Sequence, residues 1–198
     1  MLIFGASGHA KVIIDCLDSQ GIQVDGIFDD DIQKSMLLNY PVLGLYNQSF
    51  MSGELLVIAI GDNSIREKIT KVVKHKFGIV IHKSAQVSQY ATIAEGSVLM
   101  HNSIIQSGTN IGRHCIINTA ASVDHDCEIG DFVHIAPNAV LCGGVKIGEK
   151  TLIGAGATVI PNISIGSNVI IGAGSIVTKN IPDNSIVLSA RSIVHERK

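Results

Sequence analysis

Residues 111–129 read IGRHCIINTAASVDHDCEI, with an aliphatic side chain at every sixth position: Ile111, Ile117, Val123 and Ile129. Neither an α-helix nor a β-strand repeats every six residues. A chain that turns a corner after every six residues does. The ladder extends from residue 81 to residue 177 without an exception. Its members are Ile81, Val87, Ile93, Leu99, Ile105, Ile111, Ile117, Val123, Ile129, Ile135, Leu141, Ile147, Ile153, Val159, Ile165, Ile171 and Val177.

The fourth residue after each aliphatic is mostly small, as at Ser97, Thr109, Cys115 and Ala121. We therefore expect each hexad to bury one large side chain and to place a small one at a tight corner. Three hexads form one triangular coil, and stacked coils pair their backbone groups at about 4.8 Å. The sequence thus predicts a parallel β-helix of between five and six coils.

The composition agrees with this narrow core and excludes several functions. Of 198 residues, 46% are hydrophobic but only 4% are aromatic, and none is Trp. A net charge of -2 with mixed signs offers no basic field for nucleic acid or an acidic membrane surface. Four cysteines without a CxxC pair indicate small buried residues in a reducing compartment. Lys11 and Asp15 interrupt the apolar N-terminus, so we expect no signal peptide, no membrane insertion and a cytoplasmic location.

Residues 1–80 lack the hexad pattern and predict a small α/β domain. Apolar segments at 1–4, 24–28 and 55–60 predict strands, whereas segments up to about residue 21 and at 65–75 predict helices, with a loop around Tyr40-Pro41. This order is typical of a parallel sheet of the mononucleotide-binding type. We divide the chain into this domain (1–80), the β-helix (81–182) and a tail (183–198). The tail has an expected short strand at 186–188 and a helix or frayed end at 190–198.

Three polar loops are expected at the carboxyl edge of this sheet. Gly5-Ala-Ser-Gly8-His9 joins a strand to a helix, where glycines permit a sharp turn and free N–H groups favour an anion. The G-x-x-G pattern also fits a turn without a ligand. Asp29 and Asp30 follow the second strand, where carboxylates can bind a ribose or a base, or simply form a solvated turn. Together with Asp62 and Asn63 after the third strand, they favour nucleotide binding.

The β-helix carries one candidate catalytic pair, His125 beside Asp126. A carboxylate can fix the tautomer of an imidazole and stabilise the imidazolium that forms during base catalysis. The alternative is a surface histidine at a corner. Gly143 stands eighteen residues later, one coil further on the same face, and its unobstructed N–H could approach a reacting carbonyl. The register therefore predicts an acyl-transfer site.

Two other chemistries are considered for this region. Cys142 beside Gly143 allows a covalent route, but nothing in the sequence lowers the pKa of its thiol, and a small packed residue is the alternative. His101, His114, His125 and His134 are candidate metal ligands. Carbonic anhydrases on a similar β-helix use an H-x4-H pair plus a third histidine, and these coils have no such pair, so we expect no metal.

The chain resembles the hexapeptide-repeat acyltransferases, whose [LIV]-G-x4 ladder is seen at Ile111-Gly112, Ile129-Gly130 and Ile147-Gly148. The motifs LIFGASGHAK (2–11), FDD (28–30), AIGDNSIR (59–66), NT (118–119) and VDHD (123–126) narrow the resemblance to the PglD/NeuD-like branch of sugar acetyltransferases. The resemblance implies a left-handed parallel β-helix and a homotrimer. It also implies acetyl-CoA in the groove between neighbouring β-helices and a nucleotide sugar on the N-terminal domain.

The resemblance also implies roles for individual residues. His125 would be the general base and Asp126 its orienting carboxylate, where PglD-like members have Glu. The implied nucleotide-sugar contacts are Gly8, His9, Asp29, Asp30, Gly61, Asn63 and Asn118. The implied acetyl-CoA contacts are His134, Gly143, Ile153, Ala155, Gly172 and Ala173. The family's G-x-P-A-K motif near the C-terminus is VLSAR (187–191) here, which leaves its contribution to CoA binding open.

We therefore predict acetyl transfer from acetyl-CoA to an amine on a nucleotide-linked sugar of the UDP-4-amino-sugar type, for surface glycan synthesis. The transfer would be direct, without a covalent enzyme intermediate. One alternative is O-acetylation of a sugar hydroxyl, as in the sialic-acid branch. The other is a trimeric scaffold that binds a nucleotide sugar without chemistry. The sequence leaves the sugar and the nucleotide base open.

Overall fold

A computed structural model describes residues 1–189, which form an α/β domain followed by a parallel β-helix. The helix or frayed end predicted at 190–198 lies outside the described residues, as do the last two positions of the VLSAR motif. Neither helix in the described part of the chain has the length and apolar character needed to cross a membrane.

The α/β domain is built on three short parallel strands. Its elements are β1 (Leu2–Phe4), α1 (Gly8–Ser19), β2 (Gly26–Phe28), β3 (Met36–Leu37), β4 (Tyr40–Pro41), β5 (Leu56–Ile58) and α2 (Asn63–Val72). β1 lies in the middle and pairs in parallel with β2 and β5. Because all residues of these three strands are buried, the sheet is the centre of the domain. The predicted parallel sheet is confirmed.

Some boundaries predicted for this domain are wrong. The loop around Tyr40-Pro41 contains a two-stranded antiparallel pair, β3 with β4. α2 begins at Asn63, before the predicted Ile65, because the Asp62 carboxylate caps it by accepting from the Ile65 N–H at 2.8 Å. α2 also ends at Val72, three residues before the predicted end at His75.

The β-helix consists of two-residue strands, and each aliphatic member of the ladder is the second residue of one of them. The strands are β6 (Val80–Ile81), β7 (Gln86–Val87), β8 (Thr92–Ile93), β9 (Val98–Leu99), β10 (Ile104–Ile105), β11 (Asn110–Ile111), β12 (Ile116–Ile117), β13 (Ser122–Val123), β14 (Glu128–Ile129), β15 (His134–Ile135), β16 (Val140–Leu141), β17 (Lys146–Ile147), β18 (Leu152–Ile153), β19 (Thr158–Val159), β20 (Ser164–Ile165), β21 (Ile170–Ile171), β22 (Ile176–Val177) and β23 (Ile186–Val187). They form three parallel sheets. The register pairs residues eighteen apart, such as Ile105 with Val123, which confirms the triangular coil.

The last coil departs from this spacing. β23 pairs with β21 so that Ile186 lies opposite Ile170, sixteen residues away instead of eighteen. The bridge between Ile165 and Ile181 has the same shorter offset. The strand expected near 186–188 is therefore present, and it continues the sheet that contains β6.

The corners place the small residues differently from the expectation. The tight conformation with positive φ falls on the third residue after the aliphatic, as at His114, Ala120 and Asp126. The small residue follows directly and is fully buried, as at Ala121. Where that residue is Ser97 or Thr109, its hydroxyl accepts from an N–H and donates to a carbonyl of the next coil. These hydroxyls thus satisfy buried backbone groups at the corners.

The two domains share a core. Val80, Val98, Met100 and Ile116, on the outer face of the sheet that contains β12, pack with residues of β1, β2 and α1 in one buried cluster. The α/β domain therefore sits on one face of the β-helix, and the other two sheets are left uncovered by it.

Candidate active site

His125 and Asp126 occupy the corner between β13 and β14. The Asp126 Oδ2 lies 2.8 Å from the Nδ1 of His125, and the two side chains are 72% and 60% exposed respectively. Asp126 holds the positive-φ position of the corner (φ 58°), a conformation that Asp adopts more readily than most residues. The Asp126 hydrogen bond, together with the charge of Asp124, raises the pKa of His125. The pair has the arrangement of a general base with its orienting carboxylate.

Gly143 lies directly beside this imidazole. A Cβ placed on Gly143 would stand 2.6 Å from both Nε2 and Cε1 of His125, closer than real contacts allow. Only glycine therefore leaves room for the ring in this orientation. Both residues line one cleft of about 360 Å³ with Cys142, Gly144 and Asn162. The expected juxtaposition across one coil is present in the structure.

Sequence reasoning missed Thr109, which supports this corner from the coil below. Its buried hydroxyl donates to the Asp124 carbonyl at 2.6 Å and accepts from the Cys127 N–H at 3.1 Å. These two residues flank the His125–Asp126 pair on either side. The available signal was register: Thr109 stands eighteen residues before Cys127, at the small-residue position of its own corner.

A second polar cluster lies at the junction of the two domains, on β15 and the loops facing it. The Asn118 side-chain amide lies 3.1 Å from the Nε2 of His134, and Gly61 lines the same cleft as this imidazole. The ring of His9 is 6.4 Å from that of His134, measured between centroids. Gly61 and Asn63 line a cleft of about 170 Å³ with His134.

Both histidines of this junction cluster are held neutral. Burial, followed by the positive charge of Arg66, lowers the pKa of His9 to about 4. The same two causes, with a contribution from His9, lower the pKa of His134 to about 4. The buried Nε2 of His9 has no hydrogen-bond partner among residues 1–189. His134, which was grouped with the acetyl-CoA contacts, lies in this chain beside the residues expected to contact the nucleotide sugar.

Asp29 and Asp30 have different environments. The buried Asp29 accepts from the Ala6 N–H at 2.5 Å and from the Asp31 N–H at 2.9 Å, and it pairs with Lys34 at 3.1 Å. Burial opposes its ionisation, but these bonds prevail and lower its pKa. Asp29 therefore fixes the glycine loop in place. Asp30 is exposed and lines a separate cleft of about 520 Å³ with apolar side chains that include Tyr46 and Ile69.

Gly8, at the start of α1, has open space around its Cα.

The remaining residues expected at acetyl-CoA lie at the corners that follow β18 and β21, two and three coils beyond Asn118. Ala155 and Ala173 are exposed and stacked there, joined by a hydrogen bond from the Gly174 N–H to the Ala155 carbonyl at 2.8 Å. Gly172 beside them is half-buried, whereas the side chain of Ile153 is fully buried in the β-helix core. The side chain of Ile153 is therefore not available to a ligand on the surface.

The cysteines and histidines of the described chain form no cluster for a metal ion. Within residues 1–189, no group of three His, Cys, Asp or Glu side chains is arranged to hold one. Cys115 and Cys127 are buried, and burial raises the pKa of the Cys115 thiol to about 12. These two thiols pack at corners as the small residues of their hexads do.

Two protein families match separate parts of the chain. The PglD N-terminal domain family matches residues 1–73. The bacterial transferase hexapeptide family, described as six repeats, matches residues 108–143 and 144–179. The two matches correspond to the α/β domain and to the coils that carry His125 and Gly143. Together with the fold, they define an acetyltransferase built on hexapeptide repeats.

Individual relatives narrow this class. The chain is 31% identical to GDP-perosamine N-acetyltransferase from Escherichia coli O157:H7 over 158 residues, which is 73% of this chain and 71% of that protein. It is 39% identical over 107 residues to UDP-N-acetylbacillosamine N-acetyltransferase from Bacillus subtilis (strain 168), half of each chain. A variant of perosamine N-acetyltransferase from Caulobacter crescentus, crystallised with CoA and GDP-perosamine, has a TM-score of 0.91 and 37% identity, covering 95% of this chain and 92% of its own. The chain belongs to the PglD/NeuD-like branch of hexapeptide-repeat sugar acetyltransferases.

Proposed function

We propose that this acetyltransferase moves the acetyl group of acetyl-CoA to an amine on a nucleotide-linked sugar, for surface glycan synthesis, with His125 as general base. The observation that carries this proposal is the His125 imidazole, backed by Asp126 and lying against Gly143 in one cleft. Relatives that act on GDP-perosamine and on a UDP-linked sugar support an amino-sugar acceptor.

The proposed chemistry is a direct acyl transfer. The neutral amine attacks the thioester carbonyl, and Nε2 of His125 takes the proton that the nitrogen loses. Asp126, at 2.8 Å from Nδ1, stabilises the imidazolium that forms. The Gly143 N–H has no acceptor in the described part of the chain, and it would donate to the oxyanion of the tetrahedral intermediate. Collapse of that intermediate expels the thiolate of CoA, which receives the proton from His125.

The site is proposed to be completed by a neighbouring subunit in a homotrimer. In one chain, His125 lies at the corner between β13 and β14, whereas His134 lies on the sheet that faces the α/β domain and Asn118 directly follows β12 of that sheet. Ala155 and Ala173 lie two and three coils further along the corner that begins at Asn118. A groove between two β-helices would bring the His125 corner of one copy toward the His134 face of the next.

Mixed assemblies test this arrangement. The variants His125→Ala and His134→Ala, each inactive alone if both residues belong to the site, are unfolded together at equal ratio and refolded. If the site spans two subunits, random assembly restores about a quarter of the sites, because only one neighbour pairing in four supplies both histidines. No recovery in a mixture that contains folded trimers would place both histidines in the site of a single chain.

The acceptor is tested with a panel of compounds. The enzyme is incubated with acetyl-CoA and with UDP-linked and GDP-linked amino sugars, and the products are read by mass spectrometry. We expect a single acetyl group on the amine of one nucleotide sugar of the UDP-4-amino-sugar type, and loss of the product by at least about 10²-fold in His125→Ala. Transfer to hydroxyl acceptors alone would show an O-acetyltransferase. Absence of acetyl-CoA binding by calorimetry would show a scaffold.

A further inference from the structure

Arg66 on α2 is a buried cation without a carboxylate partner. It is 1% exposed and forms no ion pair among residues 1–189. Its guanidinium has five N–H donors, and the structure shows five hydrogen bonds, all to uncharged oxygens. The acceptors are the carbonyls of His114 (2.8 Å), Phe132 (2.9 Å), Ile60 (3.0 Å) and Gly61 (3.1 Å) and the side-chain oxygen of Asn63 (2.8 Å). Because all donors are used, the guanidinium has one orientation.

These bonds join the two domains across successive coils. His114 and Phe132 occupy the same corner of the β-helix, eighteen residues apart, and Lys150 is the next member of that series. Arg66 binds the first two carbonyls, and the side-chain amide of Asn63 donates to the Lys150 carbonyl at 3.1 Å. Arg66 and Asn63, one turn apart on α2, therefore hold three coils.

The same guanidinium fixes the loop that faces His134. It binds the carbonyls of Ile60 and Gly61, just before the Asp62 cap of α2, and Gly61 faces the same cleft as the His134 imidazole. Gly61, Asn63 and His134 line one cleft. A shift of α2 relative to the corners would therefore move one wall of this cleft away from the other.

We propose, building on the proposed function, that Arg66 is a positioning residue that sets where the nucleotide sugar is held relative to the acetyl donor. The sugar is bound on the α/β domain and the acetyl group on the β-helix, so the angle and distance between the domains determine whether amine and thioester meet. Displacing reacting groups by about 1 Å can cost about 10²-fold in rate. Arg66 itself is buried, so it acts through the residues it holds.

The pKa of His134 provides a second readout of how Arg66 is placed. The charged or titratable groups around His134 are Arg66 on α2, Asp62 at the cap of α2, His9 on α1 and Lys150 on the β-helix. Burial and then Arg66 lower the pKa of His134 to about 4. Removal of the Arg66 charge is expected to raise this pKa, but not to its ordinary value, because the burial remains.

The test compares Arg66→Met and Arg66→Lys with the control Arg113→Met. Arg113 lies at the same corner but is 59% exposed and is paired with Asp131. In Arg66→Met we expect kcat/KM for the nucleotide sugar to fall by about 10²-fold, while the Kd for acetyl-CoA changes by less than about twofold. Arg66→Lys keeps the charge and some of the bonds, so it should recover part of the loss. Arg113→Met should match the wild type.

Two outcomes overturn the proposal. One is a folded Arg66→Met enzyme whose kcat/KM for the sugar stays within about twofold of wild type. The other is parallel weakening of donor and acceptor binding, which would indicate a general loss of structure. If Arg66→Met does not fold, Arg66→Lys decides between the same outcomes, since it retains the charge. NMR titration of ¹³C-labelled histidine measures the pKa of His134 without turnover. It therefore tests the effect of Arg66 on this site even if the proposed reaction is wrong, and so separates failure of this proposal from failure of the proposed function.

Discussion

Gly143→Ala is the sharpest perturbation of the proposed base. The added Cβ would stand 2.6 Å from Nε2 and Cε1 of His125, whereas a real carbon needs about 3.5 Å or more. The imidazole must therefore move by about 1 Å. It can do so because the side chain is 60% exposed, so the fold should be little affected. Unfolding free energy is expected to change by no more than about 0.5 kcal/mol, because the ring that the added methyl group displaces is exposed although Gly143 itself is buried.

Activity should respond far more than stability. A displacement of about 1 Å in a catalytic group costs about 10²-fold, so kcat for acetyl transfer should fall by that order. The assay is release of CoA thiol with the acceptor identified by the panel, at saturating acetyl-CoA and sugar. Gly53→Ala is the matched control, since Gly53 has ordinary φ and nothing within 4 Å of the added carbon. This control should behave as wild type.

A double-mutant comparison separates displacement of His125 from other effects of the methyl group. His125→Ala alone should lower kcat by about 10²–10⁴-fold. If Gly143→Ala acts by moving the imidazole, it should have little further effect in the His125→Ala background. Wild-type turnover in Gly143→Ala, or full additivity of the two changes, would refute the reasoning that the imidazole must lie over Gly143.

Three further predictions follow from the same geometry. Asp126→Asn should move the acid limb of the pH profile of kcat/KM for the nucleotide sugar to lower pH. The reason is that the Asp126 carboxylate raises the pKa of His125, which must be neutral to act as a base. An acid limb that does not move would show that it does not report the titration of His125 beside Asp126. Thr109→Val and Ser97→Ala remove equivalent corner hydroxyls, so urea unfolding should show losses of about 1–3 kcal/mol in both, but only Thr109→Val should also lower kcat. Asp29→Asn should lower Tm at pH 7. The pKa of Asp29 is lower in the folded state than in the unfolded state, so its carboxylate stabilises the fold at pH values above its unfolded-state pKa. This stabilisation is lost as the pH falls through the folded-state pKa, and the Tm difference between wild type and variant should therefore shrink on acidification. A Tm difference that stays constant would contradict this role of Asp29.

The β-helix could be predicted from the sequence because its geometry is local and repetitive. Each hexad carries its own aliphatic residue, so Ile81 to Val177 give the register without knowledge of any distant contact. The His125–Gly143 contact followed from counting one coil. The exact corner position could not be predicted in this way, since residues as different as His114, Ala120 and Asp126 adopt positive φ there.

The junction between the domains could not be predicted, because it depends on contacts between residues far apart in the chain. Nothing near Arg66 in the sequence indicates that its donors reach carbonyls 48 and 66 residues away. Nor does the sequence indicate that Asp29 accepts from the Ala6 N–H and pairs with Lys34. The placement of His134 beside Gly61 and Asn63 depends on the same long-range packing.

The shortened last coil has a consequence for self-association. A stack of identical turns would end in open strand edges, which are templates for pairing with another copy end to end. Here the offset between β21 and β23 is sixteen residues, so the last described turn is two residues shorter than those beneath it. A second molecule whose turns have eighteen residues would not match the outline of this shorter turn, which disfavours end-to-end growth into fibres.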